Sequence, residues 1–209
     1  MASLSSSVVE QRTCNAQVVS SILTGGSRFL PDREGGEMKN YSFPHEQFDD
    51  LIAANAEYIK SFKYSELTGR AAKGLAIVTC MDSRINPLSV VGMQSGDAKI
   101  LRNAGARVTE DVIRTLVLAS YLLNVDRILV MPHTDCAMAR GDEADIHALI
   151  DEKFGVDTRS LEFRTTRDQK GALAIDVNRI RAYPLLPEGV TVAGAIYDVT
   201  TGTILPVDC

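Results

Sequence analysis

The chain has 209 residues, of which 45% are hydrophobic and 23% are charged, and its formal net charge is -5. These proportions are those of an ordinary globular protein that can build a core without disulfides. The acidic balance argues against a nucleic-acid partner, which a basic surface would recognise, and no apolar run is long enough to span a bilayer. We therefore expect a protein that binds neither nucleic acid nor membrane.

The first 40 residues carry the least information. They are rich in serine and are interrupted by glycine and proline, and they lack both the Arg-rich pattern of a transit peptide and the apolar centre of a secretory signal. We expect a flexible N-terminal arm at 1–40, a single α/β domain at 41–209 and a cytoplasmic location. Cys14 and the C-terminal Cys209 are interpreted as incidental thiols in a reducing compartment.

The elements that follow alternate between helical and strand patterns. Ser42, as the capping residue, and Pro44, in the first turn, predict the start of a helix. Short β-branched runs predict strands and longer runs with helical spacing predict helices. The predicted strands are Leu75–Thr79, Ala98–Leu101, Arg127–Met131, Val190–Val199 and Thr203–Val207. The predicted helices after the first are Pro87–Val91, Val108–Asn124, Gly141–Phe154 and Gln169–Tyr183.

A strand, a crossover helix and a second strand are the units of an open α/β sheet. We predict an open, mainly parallel central sheet with flanking helices and a C-terminal hairpin at its edge. Ligands of such sheets bind beyond the carboxyl ends of the strands, near a switch in strand order. Side chains that follow two of the predicted strands can therefore meet there.

Three of these side chains are metal ligands by type. Cys80 ends the run AIVTC, and His133 and Cys136 follow the run ILVM in the sequence PHTDC. Thiolates and imidazole are the ligands that zinc prefers, and a catalytic zinc keeps one position for water. A lone cysteine is usually a small buried hydrophobe and a lone histidine usually a satisfied polar group. The combination of the three predicts a zinc site.

Asp82 and Arg84 add a carboxylate and a guanidinium beside this site. In an extended CMDSR segment, alternate residues share a side, so Asp82 comes within reach of the metal and Arg84 can hold it in a bidentate pair. Zinc lowers the pKa of bound water from about 15.7 towards about 7. We predict that Arg84 holds the Asp82 carboxylate and that this carboxylate orients the zinc-bound water. If the pair of Asp82 and Arg84 breaks, Asp82 becomes the fourth zinc ligand.

Other polar residues receive plainer interpretations. His45 and His147 are interpreted as solvated side chains on helix surfaces. Asp135 is interpreted as a turn residue and not as a metal ligand. Arg102 and Asn103 are either turn residues or part of an approach for an anion or bicarbonate.

The chain resembles the β-class carbonic anhydrases, and in particular their short variety, which includes carbonyl sulfide and carbon disulfide hydrolases. The resemblance rests on four segments in order: CMDSR at 80–84, GDAKILRNAGA at 96–106, HTDC at 133–136 and VAGAIYDVTTG at 192–202.

The resemblance implies a zinc ion held by Cys80, His133 and Cys136, a dyad of Asp82 and Arg84, and a homodimer or higher homo-oligomer whose N-terminal helices embrace the partner. Two departures lie beside the ligands. Ala137 stands where the family commonly has glycine, and Pro132 precedes the ligand histidine.

Three functions follow as alternatives. The first is hydration of carbon dioxide to bicarbonate, and the second is hydrolysis of carbonyl sulfide to hydrogen sulfide and carbon dioxide. Both substrates are linear and apolar, and residue types alone do not separate them. The third is a structural zinc module without catalysis, in which Asp82 or a tail cysteine would close the tetrahedron.

Overall fold

The computed structural model of the protein describes residues 42–209. The predicted arm at 1–40 and Cys14 lie outside the described residues. The described residues belong to two compact units, which divide between Ser61 and Phe62. The predicted division into an arm at 1–40 and one domain at 41–209 stays a prediction.

In the first unit, helix α1 (His45–Tyr58) continues into a 3₁₀ turn, Ile59–Ser61. The helix begins at His45, with Pro44 at its N-cap and no side-chain capping bond, so the prediction that Ser42 caps it is wrong. Its apolar side chains Phe48, Leu51 and Ile52 are all exposed.

The second unit contains a five-stranded sheet in the order β2-β1-β3-β4-β5. The first four strands are parallel, and β5 pairs antiparallel with β4, which confirms the predicted fold class and its edge hairpin. The strands are β1 (Leu75–Cys80), β2 (Ala98–Asn103), β3 (Arg127–Met131), β4 (Thr191–Tyr197) and β5 (Ile204–Val207).

The connecting helices begin at residues suited to that position. The helices are α2 (Pro87–Val90), α3 (Glu110–Leu122), α4 (Glu143–Phe154) and α5 (Gln169–Arg181). Asn86, Thr109 and Asp168 each accept a backbone N–H of the first turn with the side chain, which satisfies a donor that a helix start leaves free. Within residues 42–209, no helix combines the length and the hydropathy that a membrane crossing requires.

The main core lies between the sheet and the helices α3 and α5. Strand β1 is buried along its whole length, because it has a neighbouring strand on each side and its alternate residues enter different clusters. Val78 of β1, Leu116 of α3 and Val177 of α5 are fully buried in the larger cluster. A continuous apolar run without alternation is the expected sequence of such a central strand.

The chain passes from β1 to β2 on one side and then to β3 on the other, so β1 and β3 are neighbours whose carboxyl ends adjoin. The hydroxyl of Thr79 donates to the carbonyl of Met131 over 2.7 Å and ties the two ends together. This is the position in the sheet where the topology favours a ligand site.

Candidate metal centre

Cys80, His133 and Cys136 meet beyond the carboxyl ends of β1 and β3. Cys80 is the last residue of β1, and His133 follows β3 by two residues. One potential ligand atom from each side chain lies within 4.8 Å of the others, and all three residues are buried. In the part of the chain from residue 42 onward, this is the cluster of Cys, His and carboxylate groups that could hold a metal ion, and Asp82 is not one of its members.

Main-chain contacts hold the loop that carries His133 and Cys136. Thr134 donates its N–H to the carbonyl of Tyr197, and Tyr197 donates to the carbonyl of Pro132, each over 2.9 Å, so the end of β4 supports this loop. Asp135 has a positive φ of 56°, a conformation that aspartate tolerates better than most residues. The turn at Asp135 reverses the chain, so Cys136 comes back beside His133.

The ring of His133 presents a free nitrogen to the cluster. Its Nδ1 lies 2.8 Å from the carbonyl oxygen of Thr134, and because a carbonyl only accepts, Nδ1 carries the proton. Nε2 is buried and has no hydrogen-bond partner among the described residues. A buried, unpartnered nitrogen lone pair costs free energy unless something binds it, and a metal ion would.

The two sulfurs have a separation that suits shared coordination. The Sγ atoms of Cys80 and Cys136 are 4.0 Å apart. Two zinc–sulfur bonds of about 2.3 Å at a tetrahedral angle place the sulfurs about 3.8 Å apart, whereas a disulfide requires about 2.05 Å. The donor set and the free Nε2 therefore fit a tetrahedral metal ion with one position left over.

The hydrogen bond between the thiols separates their proton affinities. It lowers the pKa of Cys80, against the opposing effect of burial, and the same hydrogen bond raises the pKa of Cys136. The pair therefore releases its first proton easily. A bound cation would displace the second, since only thiolates are strong metal ligands.

Asp82 and Arg84 form the predicted bidentate pair at the edge of the cluster. Arg84 donates from Nε to Oδ1 of Asp82 over 3.0 Å and from Nη2 to Oδ2 over 2.8 Å. These hydrogen bonds hold the pKa of Asp82 well below its usual range. Oδ2 of Asp82 lies 3.7 Å from Nε2 of His133, so an ionised carboxylate stands beside the fourth position of the cluster.

Sequence reasoning left the role of Arg102 open between a turn residue and an anion approach. In the structure its guanidinium donates from Nε to the carbonyl of Cys80 over 2.9 Å and from Nη2 to the carbonyl of Asp82 over 2.6 Å. Arg102 thus braces the backbone of the CMDSR segment from strand β2. Asn103 makes turn contacts, with its side chain accepting from the N–H of Arg107 and donating to the carbonyl of the same residue.

The structure changes the interpretation of Asp135 and His147 and adds Gln169, which the sequence analysis did not name as a site residue. Asp135 is more than a turn residue, because its carboxylate accepts from Arg84 over 2.9 Å and also from Arg140. Gln169, which belongs to no recognised motif, donates to the carbonyl of His133 over 2.8 Å.

The interpretation of His147 as solvated is wrong, since it is partly buried, contacts Phe163 and bonds to Thr158. His45 is exposed and bonds to a neighbouring carboxylate on α1.

A cavity of about 610 Å³ opens beside the cluster. Its wall contains Asp82, Arg84 and the three clustered residues, together with apolar groups from Ala104, Ala137 and Met138. A small apolar molecule can therefore approach the fourth position of the cluster next to an ionised carboxylate.

Comparisons with known proteins match the part of the chain that contains the candidate metal centre. The family model described as "Carbonic anhydrase" matches residues 75–204, and a model described as "Uncharacterized protein YPR108W-A" matches residues 1–31. "Beta-carbonic anhydrase 1" of Mycobacterium tuberculosis is 34% identical over 157 residues, which are 75% of this chain and 94% of the relative.

Two more relatives bear on the chemistry and the fold. "Carbon disulfide hydrolase" of Saccharolobus solfataricus is 33% identical over 151 residues, covering 61% of this chain and 74% of the relative. The solved structure of a carbonic anhydrase from Streptococcus mutans is 36% identical, with a TM-score of 0.72, and covers 80% of this chain and 100% of that one.

Proposed function

Because this chain belongs to the β-carbonic anhydrase family, we propose that it binds zinc through Cys80, His133 and Cys136 and hydrates carbon dioxide to bicarbonate. The observation that carries the proposal is the free, buried Nε2 of His133, on a ring that offers a ligand atom within 4.8 Å of two thiol sulfurs. When bound there, zinc supplies a Lewis acid that makes water acidic near neutral pH.

The protein's own groups supply orientation and proton acceptance. Asp82 is ionised at neutral pH, as an aspartate ordinarily is, and Arg84 lowers its pKa further, so the carboxylate can only accept a hydrogen bond. An acceptor at this place orients water for attack on the central carbon of the substrate. Arg84 keeps the carboxylate from turning away, since both of its oxygens are held.

The cavity wall also contains Ser83, Asp135 and Arg140, and its apolar part favours an uncharged linear substrate. Ala104, Ala137 and Met138 offer no hydrogen bonds from their side chains. Carbon dioxide can lie against these three side chains without losing polar contacts, whereas bicarbonate would lose hydrogen bonds to water on contact with them.

Hydrolysis of carbonyl sulfide is the second candidate. Two points favour it: Ala137 stands beside Cys136 where the resemblance to the family implies glycine, and a relative named carbon disulfide hydrolase is 33% identical over 151 residues. The sulfur substrates have the same linear shape and the same electrophilic carbon.

A structural zinc module is the weaker alternative. It would need a fourth protein ligand, and Asp82, the nearest candidate, is held by Arg84 instead. Inhibition of activity by small anions would contradict such a closed site.

A two-substrate assay on one zinc-loaded sample tests the proposal. Stopped-flow measurement of proton release reports carbon dioxide hydration, and sulfide release reports hydrolysis of carbonyl sulfide. We expect rapid hydration that anions inhibit. Sulfide release with no hydration would favour the second candidate, and the absence of both activities would contradict the proposal.

We also propose a homodimer or higher homo-oligomer. Leu118, Tyr121 and Leu122 share one face of α3 and are 49%, 60% and 65% exposed, which is unusual for three neighbouring large apolar side chains. Sedimentation analysis of the full chain tests this, and a monomer at micromolar concentration would contradict it. The cytoplasmic location stays a prediction.

A further inference from the structure

The guanidinium of Arg84 lies between two carboxylates. Along one edge it donates to both oxygens of Asp82. On the other side, Nη1 donates to Oδ2 of Asp135 over 2.9 Å, and Nη2 reaches the main-chain carbonyl of Asp135 at 3.3 Å. Each nitrogen of the guanidinium therefore has an acceptor, so the group is fixed on both sides and cannot turn without breaking bonds.

Asp135 is itself held in place from two directions. Its backbone has the positive φ of 56° that turns the chain towards Cys136. Its second carboxylate oxygen, Oδ1, accepts a hydrogen bond from Arg140. A line of alternating charges therefore runs from Arg140 through Asp135 and Arg84 to Asp82, at the edge of the metal cluster.

The chain contains a natural comparison for this arrangement. Asp157 and Arg159 have the same spacing as Asp82 and Arg84, and Arg159 donates its N–H and Nε to Oδ1 of Asp157 and its Nη2 to Oδ2, over 2.7 to 3.0 Å. Among residues 42–209, Arg159 has no hydrogen bond to a second carboxylate. Its side chain is 80% exposed, against 45% for Arg84.

This comparison separates the local pairing of aspartate and arginine from the effect of the second carboxylate on Arg84. An aspartate and an arginine two residues later form the bidentate pair by themselves, so the pair at Asp82 needs no special environment. Exposed pairs of this kind are weak and exchange with water. What distinguishes Arg84 from Arg159 is the second carboxylate on its other side.

We propose that Asp135 is a positioning residue, which fixes Arg84 and thereby keeps the Asp82 carboxylate directed at the open position beside His133. The inference rests on the proposed function in that Asp82 acts in the reaction. Asp135 also lines the cavity, but in this role it acts through its hydrogen bonds to Arg84.

The test compares Asp135→Asn with wild-type protein, using the full chain loaded with zinc. Asparagine tolerates a positive φ, so the turn is kept while the charge and one strong acceptor are lost. Asp157→Asn is the matched control, because it removes a carboxylate from the other pair. Arg140→Gln is a second variant, which loosens Asp135 without altering the turn.

The first readout does not depend on activity. The Nε–H of Arg84 gives a proton–nitrogen NMR signal that is assigned by its loss in Arg84→Lys. We expect its hydrogen exchange to be about tenfold faster in Asp135→Asn, equivalent to about 1.4 kcal/mol of lost protection. Arg140→Gln should speed exchange less, and Asp157→Asn should leave it unchanged. Unchanged exchange in both Asp135→Asn and Arg140→Gln would overturn the proposal.

The second readout asks whether Asp135 acts through Asp82. We expect kcat of Asp135→Asn to fall by about three- to tenfold with KM within twofold, and the double variant with Asp82→Asn to be no slower than Asp82→Asn alone. Additive losses would overturn the proposal. If wild-type protein hydrates neither substrate, the proposed function fails, while the exchange of the Arg84 Nε–H still decides whether Asp135 holds it. If Asp135→Asn does not fold, both readouts are taken on Arg140→Gln, and an unchanged signal there overturns the proposal.

Discussion

The side-chain amide of Gln169 donates to the main-chain carbonyl of His133 over 2.8 Å and joins the first turn of α5 to the loop of a candidate metal ligand. Partners outside the ligand set fix ligand orientation, and losing one commonly weakens metal binding by about 10- to 100-fold. We expect Gln169→Ala to bind zinc about tenfold more weakly in competition with a chromophoric chelator. Gln94→Ala, at an exposed glutamine, is the control. Equal affinity in the two variants would count against this role of Gln169.

The ligand assignment makes a stricter prediction. Cys80→Ser and His133→Ala should each lose zinc and activity together, because two protein ligands do not hold the ion against dilution. Metal analysis of the purified variants gives the stoichiometry directly. Cys209→Ser is the matched control, since Cys209 contacts the carbonyl of Val207 and is not a member of the candidate cluster. A full complement of zinc in His133→Ala would refute the proposed ligand set.

Asp82→Asn separates metal binding from turnover. Asparagine has the same shape, but it lacks the charge that orients water, and one of its positions is a donor. We expect zinc to be retained at one ion per chain while kcat for carbon dioxide hydration falls by about tenfold or more. Stopped-flow kinetics with parallel metal analysis measures both. Wild-type kcat in this variant would remove Asp82 from the reaction.

The sequence predicted the sheet well because its central strands are short runs made mostly of apolar residues. Strand β3 has the predicted bounds, and β1 and β2 extend by one and two residues beyond theirs. The candidate ligands were visible for the same reason, since they stand directly after buried strands, where parallel topology brings them together.

The sequence analysis missed some residues because their roles depend on tertiary contacts, which the sequence alone does not show. Gln169 reaches His133 across 36 positions only because α5 packs on the sheet. Asp135 has a positive φ and two arginine partners, and the letters HTDC reveal neither feature. His147 is partly buried because residues from the loop after α4, Thr158 and Phe163, contact it, and that loop has no periodic pattern.

A buried ion pair near the site makes a prediction about stability. Arg107 donates from Nε to Asp176 over 2.7 Å, and their side chains are 17% and 5% exposed. Asp176→Leu should lower the free energy of unfolding by about 3 kcal/mol or more, because it leaves the Arg107 charge buried without its partner. Urea denaturation measures this loss. Asp111→Leu, from an exposed pair with Arg114, should cost less than about 1 kcal/mol. Equal losses would mean that burial does not set the cost.

The final prediction concerns pH and the turn between β4 and β5. The carboxylate of Asp198 accepts the backbone N–H groups of Thr200 over 2.8 Å and Thr201 over 3.3 Å, and these bonds lower its pKa. A group whose pKa is lower in the folded state stabilises the protein above its unfolded pKa of about 3.9 and loses that contribution as the pH falls through its folded pKa. Asp198→Asn keeps the acceptor but removes the charge. We therefore expect the melting temperature of the variant to lie below that of the wild-type protein. The interval between the two melting temperatures should be constant between pH 5 and 8 and should narrow below about pH 4. Thermal denaturation of the metal-free proteins across this range avoids any contribution from metal loss. An interval that stays constant down to pH 3, or widens, would show that the ionised carboxylate does not support the turn.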